Sequence, residues 1–242
     1  MIPKIIHYCW FGGNPLPKSA VKCINSWRKF FPDYEIKEWN ESNFDVNMMM
    51  YTREAYAAKK YAFVSDVARF WILYKEGGLY FDTDVEVIAP MDDIIERGPF
   101  MGVEAMDVFE SGWPAINPGL GLAVEKRNEF YRSMLLYYEQ IHYCDLDGKP
   151  LTGTVVMHTT KLLKKNGLKP LSGMQCVAGI WIYPQEYFCP LEDTTGILNK
   201  TSKTRTIHWY SKTWNEKPMW YYRVTRLLHR FFGVDAFQSI KK

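Results

Sequence analysis

The five cysteines (Cys9, Cys23, Cys144, Cys176 and Cys189) are an odd number, and none pairs with another at CxxC spacing. That argues against a disulfide framework and a cysteine-type zinc site, and it points to a reducing compartment. No stretch approaches the roughly 18 uncharged apolar residues of a membrane-spanning helix. The opening residues, Met1 to Tyr8, lack the basic start and long apolar run of a signal peptide, so a cytoplasmic location is expected. There is no Walker-type phosphate loop, no GxGxxG and no HExxH, which leaves P-loop ATPase, dinucleotide oxidoreductase and zincin chemistry without support. No Ser or Cys stands in a recognisable nucleophile context.

Net charge is also small, +3, and it is unevenly spread: Trp214 to Lys242 carries +4 and the remainder sums to −1. A nucleic-acid binder has a more basic body, so no nucleic-acid partner is expected. What the chain does have is aromatic side chains, at 16% with nine Trp. Such a surplus serves either an aromatic core or a wet cleft that stacks on sugars or bases. The 242 residues suit one domain, or one domain with a small appendage, and can bury a sizeable core.

Hydrophobic periodicity predicts an α/β protein. Strands are expected over Pro3–Trp10, Glu35–Trp39, Leu79–Ile88 and Phe100–Glu104, and near Ile180–Tyr183 and Thr206–Tyr210. Helices are expected over Pro17–Phe31, near Thr52–Lys59, and over Ala62–Glu76, Lys126–Ile141 and Thr154–Asn166. Ala62–Glu76 is apolar around most of its circumference, which marks a buried helix, and Gly77-Gly78 is its natural stop.

Asp82-Thr83-Asp84 sits in that strand pattern, flanked by apolar Leu79, Tyr80, Phe81 and Val85. On one strand the two carboxylates share a side, roughly 6.5–7 Å apart. Either they face solvent, where they repel little, or they share a hard cation such as Mg²⁺ or Mn²⁺ with substrate phosphates. Asp66 and Arg69 lie three positions apart on one face of the buried helix. They form a structural ion pair, or Asp66 accepts from a sugar or ribose hydroxyl while Arg69 donates to a phosphate and keeps Asp66 ionised. His208, in Ile207-His208-Trp209-Tyr210-Ser211-Lys212-Thr213-Trp214, is a core histidine or a nitrogen ligand beside a cation and a hydroxyl for a pyrophosphate. Trp10, beside Gly12-Gly13, belongs to the core or stacks on a nucleobase.

Together these pieces resemble the DxD-type sugar transferases of glycosyltransferase family 32, which includes capsular-polysaccharide enzymes and yeast-type initiating mannosyltransferases; the glucosylating domains of large bacterial toxins are relatives. The matching segments are IPKIIHYCWFGG (2–13), PDYEIKEWNESNFD (32–45), KKYAFVSDVARFWILYKEGGLYFDTDVEV (59–87), IYPQEYFCP (182–190) and IHWYSKTW (207–214), in order across most of residues 2–214. The resemblance implies a GT-A fold, a Rossmann-like mixed sheet flanked by helices with the donor at its C-terminal strand edge. It implies a retaining transfer of a hexose from a UDP- or GDP-sugar, a divalent metal (Mn²⁺ or Mg²⁺), and a lipid-linked or oligosaccharide acceptor in surface or capsular glycan synthesis.

By position, Trp10 looks like the base-stacking aromatic, Asp66 and Arg69 like the pair on the donor sugar, Asp82 like the aspartate near ribose, sugar or metal, and Asp84 like the metal ligand. Lys212, Thr213 and Trp214 fall at the diphosphate, with His208 as a further metal ligand. The family usually has His-His at 208–209 and Ser at 213; here Trp209 and Thr213 stand instead. Alternatives are a protein acceptor, as in the toxin relatives, and a catalytically silent nucleotide-sugar binder. A catalytic domain is expected over 1–214 and a basic amphipathic helical tail over 215–242. On the tail's helical wheel Arg223, Arg226 and Arg230 oppose Trp220, Val224, Leu227, Leu228 and Phe231. That apolar arc packs on the domain, or the helix makes peripheral contact with an anionic membrane, as on the inner face of the plasma membrane.

Overall fold

The computed structural model describes residues 1–151, 153–170, 173–212 and 219–233. The chain runs β1 (Ile5–Cys9), α1 (Lys18–Phe30), β2 (Glu35–Trp39), α2 (Met50–Ala57), α3 (Tyr61–Glu76), β3 (Gly78–Tyr80), β4 (Val85–Val87) and α4 (Asp92–Arg97). It continues through β5 (Phe100–Met106), β6 (Pro114–Asn117), β7 (Leu122–Val124), α5 (Glu129–Tyr138), α6 (Val155–Lys165), β8 (Gln175–Val177), β9 (Ile180–Tyr183), α7 (Gln185–Phe188), β10 (Thr206–His208) and α8 (Met219–Phe232).

Eight strands form one mixed sheet in the order β2-β1-β3-β7-β5-β9-β8, with β6 paired to β5; β10 and β4 form a separate two-stranded antiparallel sheet. The β1–β2, β1–β3 and β5–β9 pairs are parallel. This is the helix-flanked mixed α/β sheet expected from the alternation of strand and helix patterns.

Side chains alternate across the sheet and feed two cores. Tyr80, Leu122 and Ile182 point to one face, covered by α2, α3, α5 and α6. Ile6, Leu79 and Ala123 point to the other, where Cys23, Ile24 and Trp27 of α1 and Ile94 of α4 pack. Period-2 alternation with apolar residues on both sides is what a doubly covered sheet requires. Each fully buried Leu or Phe contributes about 1.5–3 kcal/mol. Trp27 is wholly buried and donates from Nε1 to the carbonyl of Val85 at 2.8 Å, tying α1 to the start of β4.

The expected strand over Leu79–Ile88 is not continuous. β3 ends at Tyr80 in the large sheet and β4 begins at Val85 in the small one, with a turn between them closed by Val85 N–H donating to the Asp82 carbonyl at 3.0 Å. One chain segment serves two sheets, so it must bend; Asp-Thr-Asp is turn-forming sequence. α3 stops where Gly77 and Gly78 take φ of 65° and 98°. A Cβ on Gly78 would lie 2.6 Å from the Ile5 carbonyl, so only glycine lets the helix exit this close to β1.

Candidate functional site

Parallel strands β1 and β3 lie side by side, with His7 opposite Tyr80, so Trp10 and the Asp82–Asp84 turn emerge at the same C-terminal strand edge. Ligands of open α/β sheets bind at such edges. The turn is laid against α3 by Arg69, which is 3% exposed. Its Nη2 lies 2.9 Å from Asp66 Oδ1 and 3.2 Å from Asp82 Oδ1. Its Nε donates to the Ser65 carbonyl at 3.1 Å, and its guanidinium sits 5.0 Å from the Tyr80 ring centroid. Tyr80 Oη also donates to Asp82 Oδ1 at 3.0 Å.

Arg69 is therefore more than half of a pair. It serves two carboxylates, whose charges outweigh burial and raise its own pKa. Burial pushes Asp66 up to about 7, with Arg69 acting against that rise and Asp82 adding to it.

Asp84 faces a different set of partners. Ser211 donates to Asp84 Oδ2 from its amide (2.8 Å) and its hydroxyl (2.9 Å), and His208 Nε2 lies 3.2 Å from Oδ1. Burial alone would push Asp84 up, but the His208 charge and these hydrogen bonds bring it well below the ordinary carboxylate range. Asp84 in turn raises His208 against the opposing effect of burial. Asp82 and Asp84 thus belong to two clusters on either side of a turn, instead of standing in register on one strand.

Trp209, in the place of the family's second histidine, follows β10, and its backbone N–H donates to the Asp84 carbonyl at 3.0 Å. Its indole N–H donates to Glu86 Oε2 at 2.8 Å, and Lys22 Nζ stands 5.5 Å from its ring centroid. Lys212, next to Ser211, pairs with Asp193 Oδ2 at 2.7 Å. Trp10 is half-buried, and its indole donates to the Asn14 carbonyl at 2.6 Å. Thr213 and Trp214 lie outside the described residues.

Five residues outside the expected set, Ser211, Tyr80, Asn117, Gly119 and Glu104, surround these groups or support them. Ser211 lay inside the His208 motif, and Tyr80 looked like a core aromatic. Asn117 and Gly119 flank a turn whose role is visible only in three dimensions. The Asp82 amide donates to the Gly119 carbonyl at 3.1 Å, and a Cβ on Gly119 would overlap the Asp82 carboxylate. Asn117 donates from Nδ2 to Glu104 Oε1 at 3.2 Å. Tyr210, whose ring centroid is 4.2 Å from that of His208, has its pKa raised first by burial and then by the charges of Cys189 and Glu104.

Three carboxylates (Asp66, Asp82, Asp84) face two cationic groups (Arg69, His208), so oxygen donors are in excess. Among the described residues no three His, Cys, Asp or Glu side chains are drawn together closely enough to hold a metal unaided. A cavity of about 400 Å³ opens elsewhere, lined by Trp113, Met157 and Lys164, and no residue of this site borders it.

Residues 17–101 match the family model described as "Glycosyltransferase sugar-binding region containing DXD motif", which covers Asp66, Arg69, Asp82 and Asp84. Inositol phosphoceramide mannosyltransferase 1 of Schizosaccharomyces pombe is 27% identical over 129 residues, 48% of this chain and 39% of that protein. Inositol phosphoceramide mannosyltransferase 3 of the same organism is 31% identical over 102 residues, 39% of this chain and 27% of that protein. This chain spans well under half the length of both. A solved structure described as PaToxG glycosyltransferase superposes with a TM-score of 0.46 at 18% identity, covering 68% of this chain and 69% of that one, too loose a likeness to argue from. Over residues 17–101 the chain is similar to the DxD-containing sugar-binding region of glycosyltransferases, and its DxD turn lies within that matched region.

Proposed function

Starting from that similarity, we propose that the chain is a glycosyltransferase that moves a hexose from a UDP- or GDP-sugar to a saccharide acceptor with retention of configuration. The observation that carries this reading is the DxD turn at the strand edge, with Arg69 bridging Asp66 and Asp82 on one side and His208 and Ser211 fixing Asp84 on the other.

The donor set fits a hard divalent cation. Mg²⁺ and Mn²⁺ take oxygen ligands, need only one or two protein carboxylates, and complete their shells with substrate phosphates. Asp84 and Asp82 would hold such an ion, with His208 beside them. When bound, it supplies charge neutralisation for the departing nucleoside diphosphate.

The chain's own residues do the rest. Arg69 and Asp66 donate to and accept from the donor's sugar hydroxyls, and Trp10 stacks on the base. Lys212, exchanging Asp193 for phosphate, adds positive charge at the diphosphate. Tyr80 and Ser211 fix the carboxylate orientations before substrate arrives. Glu104, held by a neutral amide, accepts the hydrogen bond of the incoming acceptor hydroxyl. The acceptor oxygen bonds to the anomeric carbon from the face the diphosphate leaves; the glycosidic electron pair departs with the diphosphate, and the acceptor proton passes to a diphosphate oxygen. Isolation of a covalent glycosyl-enzyme would refute this course.

The yeast relatives are named for a lipid acceptor, which supports a lipid-linked acceptor here, in surface or capsular glycan assembly. The direct test incubates the protein with UDP- and GDP-hexoses and Mn²⁺, with and without a chelator. Nucleoside diphosphate release that the chelator abolishes supports the reading. Neither turnover nor a thermal shift with any donor would end it.

A further inference from the structure

A terminal amphipathic helix ordinarily buries its apolar side on the body of the protein. α8 does the reverse. Arg226 donates to the Asp193 carbonyl (3.0 Å) and from Nη2 to Asp193 Oδ1 (2.9 Å), and Arg230 Nη2 donates to the carbonyls of Thr195 (3.1 Å) and Gly196 (3.0 Å). The arginine face is thus spent on the 193–196 loop. Opposite it, Trp220 (65%), Val224 (47%), Leu227 (51%) and Phe231 (77%) are exposed. Their spacing of four, three and four residues makes one stripe about 16 Å long. The sequence reading offered packing of this arc on the domain; the structure shows the basic face docked instead, because the loop presents a carboxylate and a row of carbonyl acceptors.

The occupant follows from size and charge. A second copy of a 14-residue helix meeting this stripe would bury far less than the roughly 1,200 Å² of a stable interface. A lipid surface needs no such area or matching shape, and Trp, Phe and Leu above a polar helix face are what the headgroup–acyl boundary accommodates. Arg223 is exposed beside the stripe. Its guanidinium puts positive charge at the edge of the apolar stripe, the complement of an anionic headgroup layer.

The helix also adjoins the site. Asp193 holds Arg226 and Lys212 together, and the Lys212 ammonium lies 4.5 Å from the ring centroid of Tyr222 on α8. We propose that α8 seats its Trp220–Phe231 stripe in the headgroup layer of an anionic bilayer, clamped to the body through Asp193. Its further consequence, that the donor site stands at the membrane surface, rests on the transferase reading above; the docking itself does not.

The test is flotation of the full chain with phosphatidylcholine vesicles, with and without phosphatidylglycerol, alongside the double variant Leu227→Asp, Phe231→Asp. A second variant, Trp220→Gln with Val224→Gln, removes apolarity without adding charge. All four side chains are exposed, so melting temperature and nucleotide-sugar hydrolysis should be unchanged. Wild type is expected to float with the anionic vesicles, and both variants to lose about tenfold or more of the bound fraction. Equal flotation of wild type and variants, indifference to headgroup charge, or a dimer in light scattering that the variants dissolve would overturn the proposal. Absence of hydrolysis in wild type would count against the transferase reading alone.

Discussion

A methyl group at Gly119 is the sharpest perturbation of the site that leaves the fold alone. The backbone there is not in the left-handed region, so alanine carries no conformational penalty. Its Cβ, however, would lie 2.9 Å from Asp82 Cγ and overlap the carboxylate oxygen, where carbon atoms need about 3.5–4.0 Å. Asp82 must therefore retreat by about 1 Å, loosening its contacts with Arg69 (3.2 Å) and Tyr80 (3.0 Å). Losing one such partly solvated hydrogen bond costs about 0.5–1.5 kcal/mol, a fall of a few degrees in Tm. A 1 Å misplacement of a positioning group costs about 10²-fold in rate. Gly119→Ala should thus hydrolyse nucleotide-sugar about 100-fold more slowly while melting within a few degrees of wild type. Gly173→Ala, where a Cβ meets nothing within 4 Å, is the control. Wild-type turnover in Gly119→Ala would show that the position of Asp82 is irrelevant to the reaction.

Two further outcomes follow from the same geometry. Glu104→Gln should lower transfer to an acceptor by about 10²-fold or less while leaving donor affinity unchanged by calorimetry, the outcome its proposed role as hydrogen-bond acceptor for the incoming hydroxyl requires; a loss of donor affinity alone would contradict that role. His7 is fully buried, accepts from Trp39 Nε1 at Nδ1 (3.0 Å) and donates from Nε2 to the Gly77 carbonyl (2.9 Å). Burial lowers its pKa from 6.5 to about 4, so the unfolded chain takes up the proton first as the medium is acidified. His7 should therefore remove about 3 kcal/mol of stability as pH falls from about 6.5 to about 4. Denaturant titrations of His7→Gln, which can keep both hydrogen bonds, should show a shallower loss across that window, and an unchanged profile would refute the assignment.

The elements legible in the sequence were those with long, unambiguous periodicity. Lys18–Phe30 and Tyr61–Glu76 fall within a residue of expectation, because one carries a clean apolar stripe and the other ends on paired glycines. β6, β7 and β8 are three or four residues long, too short for a period to declare itself, and they were not foreseen. The DxD pair and the Asp66–Arg69 spacing were readable as chemistry, but the sharing of Arg69 between Asp66 and Asp82 was not. It depends on α3 and the β3–β4 turn meeting across 13 residues of chain. The continuous strand over 79–88 failed for a related reason: local alternation cannot reveal that Tyr80 and Val85 belong to different sheets. Glu104 and Gly119 lie outside any motif, and only β5–β6 pairing brings them to the site.

In the proposed reaction the Asp82–Asp84 turn would grip the diphosphate of a nucleotide-sugar through a shared divalent cation. Calorimetric titration of the wild-type chain and Asp84→Asn with UDP- and GDP-hexoses, each with Mn²⁺ and with a chelator, tests it directly. Binding of one donor by wild type that needs Mn²⁺ and is lost in a folded Asp84→Asn protein is the predicted result. Donor binding of equal strength with and without the metal, or undiminished in Asp84→Asn, would contradict it.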